Sequence, residues 1–212
     1  MPRSKSILQS EFPYHVSGRC INKEWFGLPL NQVWDIMSDQ LNFVSYAYHA
    51  QIHSFVLMNN HFHLLISTPD SNLDVIMARF MKECSRYIND LSGRINQAYR
   101  ARHFRSLIET DFYAQQVYKY VYRNPVKAKL VERCELYPFS SLSFLLGQTQ
   151  ACFPVTEDTF LFSNLEKTLD WLNTPATDED WENISKALKK SKFKLAINLR
   201  SKKFNPLEFR LI

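Results

Sequence analysis

Two apolar runs separated by a pair of asparagines do most to fix what this chain can fold into. Residues 52–58 (Ile52 to Met58) lead into Asn59-Asn60, and His61-Phe62-His63-Leu64-Leu65-Ile66 follows at once. Short apolar runs bounded by turn residues read as the two arms of a β-hairpin, and asparagine serves the turn because it tolerates left-handed backbone. Side chains two apart on a strand share a face. His61 and His63 therefore point one way, and Phe62, Leu64 and Ile66 the other. Two imidazoles on one face of a rigid strand are a ready pair of metal ligands. The same pattern also arises where histidines are half-buried polar residues of a sheet, so the pair alone decides nothing.

The flanking segments extend the pattern. Residues 13–20 (Pro13 to Cys20) read as a strand. Val33, Trp34, Met37 and Leu41 recur at helical spacing in a helix expected from Leu30 to Phe43. Leu73, Ile76, Met77, Phe80, Cys84 and Ile88 form the stripe of a second helix, capped by Ser71 or Asn72 and stopped by Gly93. Residues 104–108 read as a strand. A third helix is expected from a cap at Thr110 or Asp111 to Arg123, ended by Pro125, because the residue before a proline is pushed out of the helical region. The order β-α-β-β-α-β predicts a ferredoxin-like α+β fold: an antiparallel sheet with helices on one face.

Composition sets the bounds. The chain has 212 residues, 45% of them hydrophobic and 14% aromatic, which suits a globular protein with one main domain. Four scattered cysteines form no C-x-x-C pair, which argues against a zinc ribbon or a redox dithiol and fits free thiols in a reducing compartment. No apolar run reaches the roughly 20 residues of a membrane span. The polar start of the chain lacks the apolar core of a secretion signal. A cytoplasmic protein with no membrane partner is the expectation. The net charge of +5 is compatible with a polyanionic partner. Charge is segregated near the end: residues 150–180 carry −6 and residues 181–212 carry +7. We therefore expect a main domain over 1–149 and a partly helical extension over 150–212. In the extension, Thr177-Asp178-Glu179-Asp180 starts a helix with Trp181, Ile184 and Leu188, and a basic tail includes Lys190 and Lys192.

A catalytic metal site needs a further ligand and an open position. The segment Tyr118-Lys119-Tyr120-Val121-Tyr122-Arg123-Asn124-Pro125-Val126 offers both a ligand and a reacting group. Tyr120 and Asn124 are i and i+4 on one helical face. An asparagine carbonyl is a hard oxygen ligand suited to Mg²⁺ or Mn²⁺, and a phenol is a nucleophile. Tyr118 and Tyr122 lie about 160° away at about 100° per residue, where packing or partner contact is expected. An aromatic helix used only for packing fits the same pattern.

The linked motifs carry more. The run Phe55 to Leu65, containing Asn60-His61-Phe62-His63, resembles the HUH motif of the single-tyrosine, insertion-sequence-200-like transposases. Tyr120-Val121-Tyr122-Arg123-Asn124-Pro125-Val126-Lys127-Ala128 resembles that family's tyrosine helix. His15-Val16-Ser17-Gly18-Arg19 and Tyr137-Pro138-Phe139-Ser140-Ser141 are similar to flanking pieces. The resemblance spans about residues 13–145 and is nearest to the REP-associated tyrosine transposases. The chain departs from the family at Asn59, where proline is common, and at Lys129, where glycine is common.

The resemblance implies a metal-dependent transposase that cleaves and rejoins single-stranded DNA beside a hairpin. His61, His63 and Asn124 would hold one Mg²⁺ or Mn²⁺, and Tyr120 would form a 5′-phosphotyrosine. The partner would be a REP-like or insertion-sequence-end hairpin, and the protein a monomer or homodimer. Candidate phosphate contacts are Arg79, Lys82 and Arg86 on the second helix, Arg100, Arg102 and Arg105 beside Tyr99 and Phe104, and Lys190 and Lys192. The tail is expected either to bind DNA or to fold back over the site. Two rivals remain open: a domesticated DNA-hairpin binder without catalysis, and a metallohydrolase using water, which leaves Tyr120 without a role.

Overall fold

The computed structural model describes residues 7–94, 99, 103–156, 161–196 and 204–212. Strands β1 (Tyr14–Arg19), β2 (Gln51–Met58), β3 (His61–Ser67) and β4 (Phe104–Leu107) form an antiparallel sheet in the order β2-β3-β1-β4. Helices α1 (Leu30–Ala47) and α2 (Leu73–Ser92) make the two crossovers. This is the ferredoxin-like arrangement expected from the element order.

Register divides the sheet into two chemically different faces. β1 pairs with β3 so that Arg19 faces His61, Ser17 faces His63 and His15 faces Leu65. Directly opposed residues share a face, so His15, Ser17, Arg19, His61, His63 and Leu65 all lie on one side. Tyr14, Val16, Phe62, Leu64 and Ile66 lie on the other, where they bury against the apolar stripes of α1 and α2. Gly18 is needed there: a Cβ in its place would lie 2.6 Å from the Phe62 ring, its partner across the strands.

The α1 stripe continues through buried Val44, so the helix runs to Ala47 and not only to Phe43. It ends where His49 takes a left-handed φ of 54°. Asn72 occupies the cap position of α2, and Gly93, at φ 68°, closes it as expected. The β2–β3 hairpin also forms, but neither Asn59 nor Asn60 has a positive φ. Asn60 is held otherwise: its carbonyl accepts from Cys20 N at 2.9 Å, and its side chain bonds His61 at 2.8 Å.

Helix α3 (Asp111–Lys127) packs on the histidine face, opposite α1 and α2. Thr110 caps it, its hydroxyl accepting from Tyr113 N at 3.1 Å. The expected stop at Arg123 is overrun, because Pro125 sits within the last turn. There it forfeits one N–H bond only, and the chain continues through Ala128 N to Asn124 O at 2.9 Å and Leu130 N to Pro125 O at 3.0 Å. Burial of Val117, Val121, Tyr118 and Tyr122 against Val56, Leu65 and later segments holds α3 in place, each such side chain contributing about 1.5–3 kcal/mol. Tyr118 and Tyr122 are thus packing residues, and the Tyr122 hydroxyl also reaches Ser141 Oγ at 3.2 Å.

Segments beyond α3 cover both outer strands. Beside β2, Leu57 N donates to Phe139 O at 3.0 Å, Ser141 N donates to Phe55 O at 2.9 Å, and Thr156 N donates to Ile52 O at 2.7 Å. Beside β4, Leu107 N donates to Ser191 O at 3.0 Å and Phe193 N donates to Leu107 O at 2.8 Å. After the short α4 (Leu142–Leu145) come α5 (Leu165–Asn173) and α6 (Asp178–Ala187), the latter with its expected Thr177 cap. The final residues return to α3. Gln116, fully buried, donates to Leu207 O at 3.2 Å and Arg210 O at 2.8 Å and accepts from Ile212 N at 3.0 Å. Arg210 bridges both carboxylate oxygens of Asp180 at 2.8 Å.

Lys129, just past α3, has a φ of 58°. A side chain costs about 1–2 kcal/mol in that conformation, and glycine costs the unfolded chain part of that back. Lys129→Gly is therefore expected to stabilise the fold by up to about 1 kcal/mol, read as an upward shift in the urea midpoint at unchanged slope.

Candidate active site on the histidine face

β3 presents His61 and His63 side by side, their ring centroids 5.1 Å apart. Each ring has one nitrogen engaged. His61 Nδ1 lies 2.8 Å from Asn60 Oδ1, and His63 Nδ1 lies 3.0 Å from Nε2 of His15. The amide oxygen is an acceptor only, so His61 Nδ1 carries the proton and its Nε2 keeps a lone pair. Burial pushes the His61 imidazolium down to about 4, and nearby Arg19 adds to the effect. Burial likewise takes His15 to about 3. His63 falls well below its usual range through burial, then through His61, His15 and Arg19. Neutral rings with free nitrogens are what a divalent cation requires, so the donors present fit such a group.

Helix α3 delivers Tyr120 to these rings. Its ring centroid is 5.6 Å from His63 and 6.3 Å from His15, edge-on to both. Asn124 Nδ2 donates to Tyr120 O at 2.7 Å, which leaves Oδ1 as the atom of that amide able to serve another partner. Among the described residues, no group of three or more His, Cys, Asp or Glu could hold a metal ion. A cation at the two imidazoles would therefore need oxygen ligands besides them.

Tyr120 is covered. Only 7% of it is exposed, and Trp181 of α6 stacks on its ring at 4.7 Å and 28°. Burial raises the phenol above its ordinary range, against the pull of a hydrogen bond with Ser185 and of the Arg19 charge. Helix α6, which precedes the basic tail, is the part of the extension that lies over Tyr120.

The histidine pair, the tyrosine–asparagine helix and the flanking pieces thus converge on one face. The sequence profile described as Transposase IS200 like matches residues 16–124, about half of the chain, a span that contains His61, His63, Tyr120 and Asn124 but not the Tyr137–Ser141 piece. The chain belongs to the IS200-like transposase family. Among solved structures, it resembles a REP-associated tyrosine transposase bound to a REP hairpin, with TM-score 0.60 and 16% identity over 73% of this chain and 89% of that one. That likeness establishes the shared fold. A putative transposase from Deinococcus radiodurans aligns at TM-score 0.39 and 12% identity over 57% of this chain and 95% of that one, too weakly to carry an argument. No curated protein matches the sequence.

The described basic residues among those expected to contact DNA lie away from Tyr120. Arg79 and Arg86 bracket Glu83 on α2 at 3.1 and 3.0 Å, and their guanidinium groups also lie over Phe43 and Tyr87. Lys82 is exposed on the same helix. Arg105 pairs with Asp74 of α2. These four sit on the far side of the sheet from Tyr120. Lys192 pairs with Glu109 at 2.6 Å, and Lys190 donates to Lys194 O at 2.8 Å. Arg100 and Arg102 lie outside the described residues. A cavity of about 220 Å³ beside β4, lined by Tyr14, His103, Phe104, Arg105, Lys189 and Ser191, joins two of the basic groups at the sheet edge.

Sequence reasoning gave no role to His15, Arg19, Trp181 or Ser185. The alternation of His15, Ser17 and Arg19 was visible, but only the β1–β3 register puts them beside His61 and His63.

Because burial raises the phenol, uncovering it must lower it. Trp181→Ala is expected to move the Tyr120 ionisation down toward about 10. The difference between ultraviolet titrations of Trp181→Ala with and without Tyr120→Phe isolates that transition.

Proposed function

We propose that this transposase cleaves and rejoins single-stranded DNA beside a hairpin, using Tyr120 as nucleophile and a divalent cation, Mg²⁺ or Mn²⁺, held by His61, His63 and Asn124. The observation that carries the reading is the edge-on placement of Tyr120 5.6 Å from His63, on a helix that carries Asn124 one turn further on. A metallohydrolase would not need a tyrosine there.

When bound, the cation supplies Lewis-acid polarisation of the scissile phosphate and offsets the charge that develops in displacement. The chain's own groups do the rest. His61 would offer its Nε2 lone pair, and His63 its own when its proton sits on Nδ1, from a strand fixed on both sides. Asn124 offers its carbonyl oxygen while its NH₂ is tied to the helix. Tyr120 Oη attacks phosphorus and gives up its proton, the bond to the 3′-oxygen breaks, that oxygen leaves with one proton as a 3′-hydroxyl, and the DNA 5′ end is held as a phosphotyrosine. A 3′-hydroxyl attacking that ester releases Tyr120 and rejoins DNA without ATP. Arg19, on the same face, contributes positive charge next to the phenol. Trp181 covers the Tyr120 ring and Ser185 bonds its hydroxyl, so both contacts of α6 would have to open for a phosphate to reach Tyr120 Oη.

The hairpin as ligand is supported by the resemblance of the motifs to the REP-associated group and by the fold shared with a member bound to a REP hairpin. Arg79, Lys82, Arg86, Arg105, Lys190 and Lys192 would serve phosphates away from the chemistry, with Arg79, Arg86, Arg105 and Lys192 exchanging their present partners Glu83, Asp74 and Glu109 for DNA.

The test is an oligonucleotide carrying a REP-like hairpin, incubated with Mg²⁺ or Mn²⁺ and scored for a covalent protein–DNA band. The wild-type protein is expected to give the band. Tyr120→Phe is expected to abolish it while retaining hairpin affinity, and chelation is expected to remove the band from the wild type. A band from Tyr120→Phe rejects the nucleophile. Cleavage without a band favours the hydrolase, and binding without cleavage favours the domesticated binder.

A further inference from the structure

His15 is a third histidine at the site, and the metal reading leaves it without a task. It stands on β1 opposite Leu65, two residues along from the His63 position and on the same face. Its ring lies 5.2 Å from that of His63 at 31°, and Nε2 of His15 is 3.0 Å from Nδ1 of His63. Both rings are buried, at 2% and 6% exposure. Two neutral imidazoles at this separation share one proton: one nitrogen donates and the other accepts.

The two ways of sharing differ in consequence. If His63 Nδ1–H donates to His15 Nε2, His63 Nε2 is a bare lone pair able to take a cation. If His15 Nε2–H donates to His63 Nδ1, the His63 proton sits on Nε2 and blocks ligation. We infer that His15 is a positioning residue, the acceptor that holds His63 in its Nε2-ligating tautomer and fixes the plane of its ring. Asn60 Oδ1 does the same for His61. Both metal-facing imidazoles are then oriented by a partner on the other nitrogen, the arrangement that supports ligating histidines generally. His15 Nδ1 has no hydrogen-bond partner among the described residues, so no third group dictates which nitrogen of His15 carries its proton, and cation binding at His63 is free to draw the pair into the first arrangement.

This inference rests on the metal reading above, and the experiment separates the two. Mn²⁺ affinity is measured on the full chain without DNA, from the electron paramagnetic resonance of free Mn²⁺, for wild type, His15→Leu, His15→Gln, His61→Ala and His63→Ala. His15→Leu is expected to weaken Mn²⁺ binding by about 10–100-fold. His15→Gln, whose Oε1 still accepts from His63 Nδ1, is expected to recover most of it. Electron spin-echo modulation is expected to count two imidazole nitrogens on Mn²⁺ in the wild type. Nitrogen-15 spectra of the wild-type protein with Mg²⁺, which need no variant, are expected to show His63 protonated at Nδ1.

Unchanged affinity in His15→Leu alongside loss in His61→Ala overturns the positioning role alone. Three imidazole nitrogens in the wild type would make His15 a ligand and overturn it too, as would His63 protonated at Nε2. No binding by the wild type, or no loss in His61→Ala and His63→Ala, overturns both readings.

Discussion

Everything functional in this molecule depends on helix α3 being pressed against the histidine face of the sheet. Strand β3 and α3 are far apart in sequence, and neither alone makes a site. In the proposed mechanism the strand has two imidazoles and no nucleophile. The helix has a phenol and an amide with nothing to act on. Their association rests on apolar burial, through Val117 and Val121 against Val56 and Leu65, and that force has no direction. Direction comes from polar fixings at both ends of the helix. Thr110 caps its start, Gln116 grips the end of the chain, and Tyr122 reaches Ser141.

The cost of this arrangement is visible in the helix itself. Lys119 is completely buried, its ammonium 5.3 Å from the Trp171 ring centre and without a hydrogen-bond partner among the described residues. Burial lowers it to about 8, with the Arg123 charge pushing the same way. Arg123, nearly buried, finds the Leu172 carbonyl at 2.9 Å. Both cations project toward α5 rather than toward the histidines, so the positive charge of the helix serves its attachment to the extension and leaves Arg19 as the cation beside Tyr120.

What could be read from sequence, and what could not, follows from the range of the interactions. Strict alternation in β3 disclosed which way His61 and His63 face, because that is a property of one strand. The i, i+4 relation of Tyr120 and Asn124 is a property of one helix. The stripe on α2 and the caps at Thr110 and Thr177 are equally local. His15 escaped because its role depends on a pairing register between strands distant in sequence. The run of α3 through Pro125 escaped because a proline in a last turn sacrifices one bond only, and burial outweighs that. The pairing of Arg79 and Arg86 with Glu83 was equally local, at i+4 and i−3 on one helix.

The segments laid beside β2 and β4 bear on how copies of the protein can meet. An open outer strand is a template, since its unpaired amides accept any extended chain, including the same strand of a second molecule. Here the backbone of Leu57, Phe55 and Ile52 on one side and of Leu107 on the other is already bonded to downstream parts of the same chain. Two copies therefore gain little by aligning sheets into one continuous ribbon. At these positions the pairing capacity of the sheet edges is used within the chain.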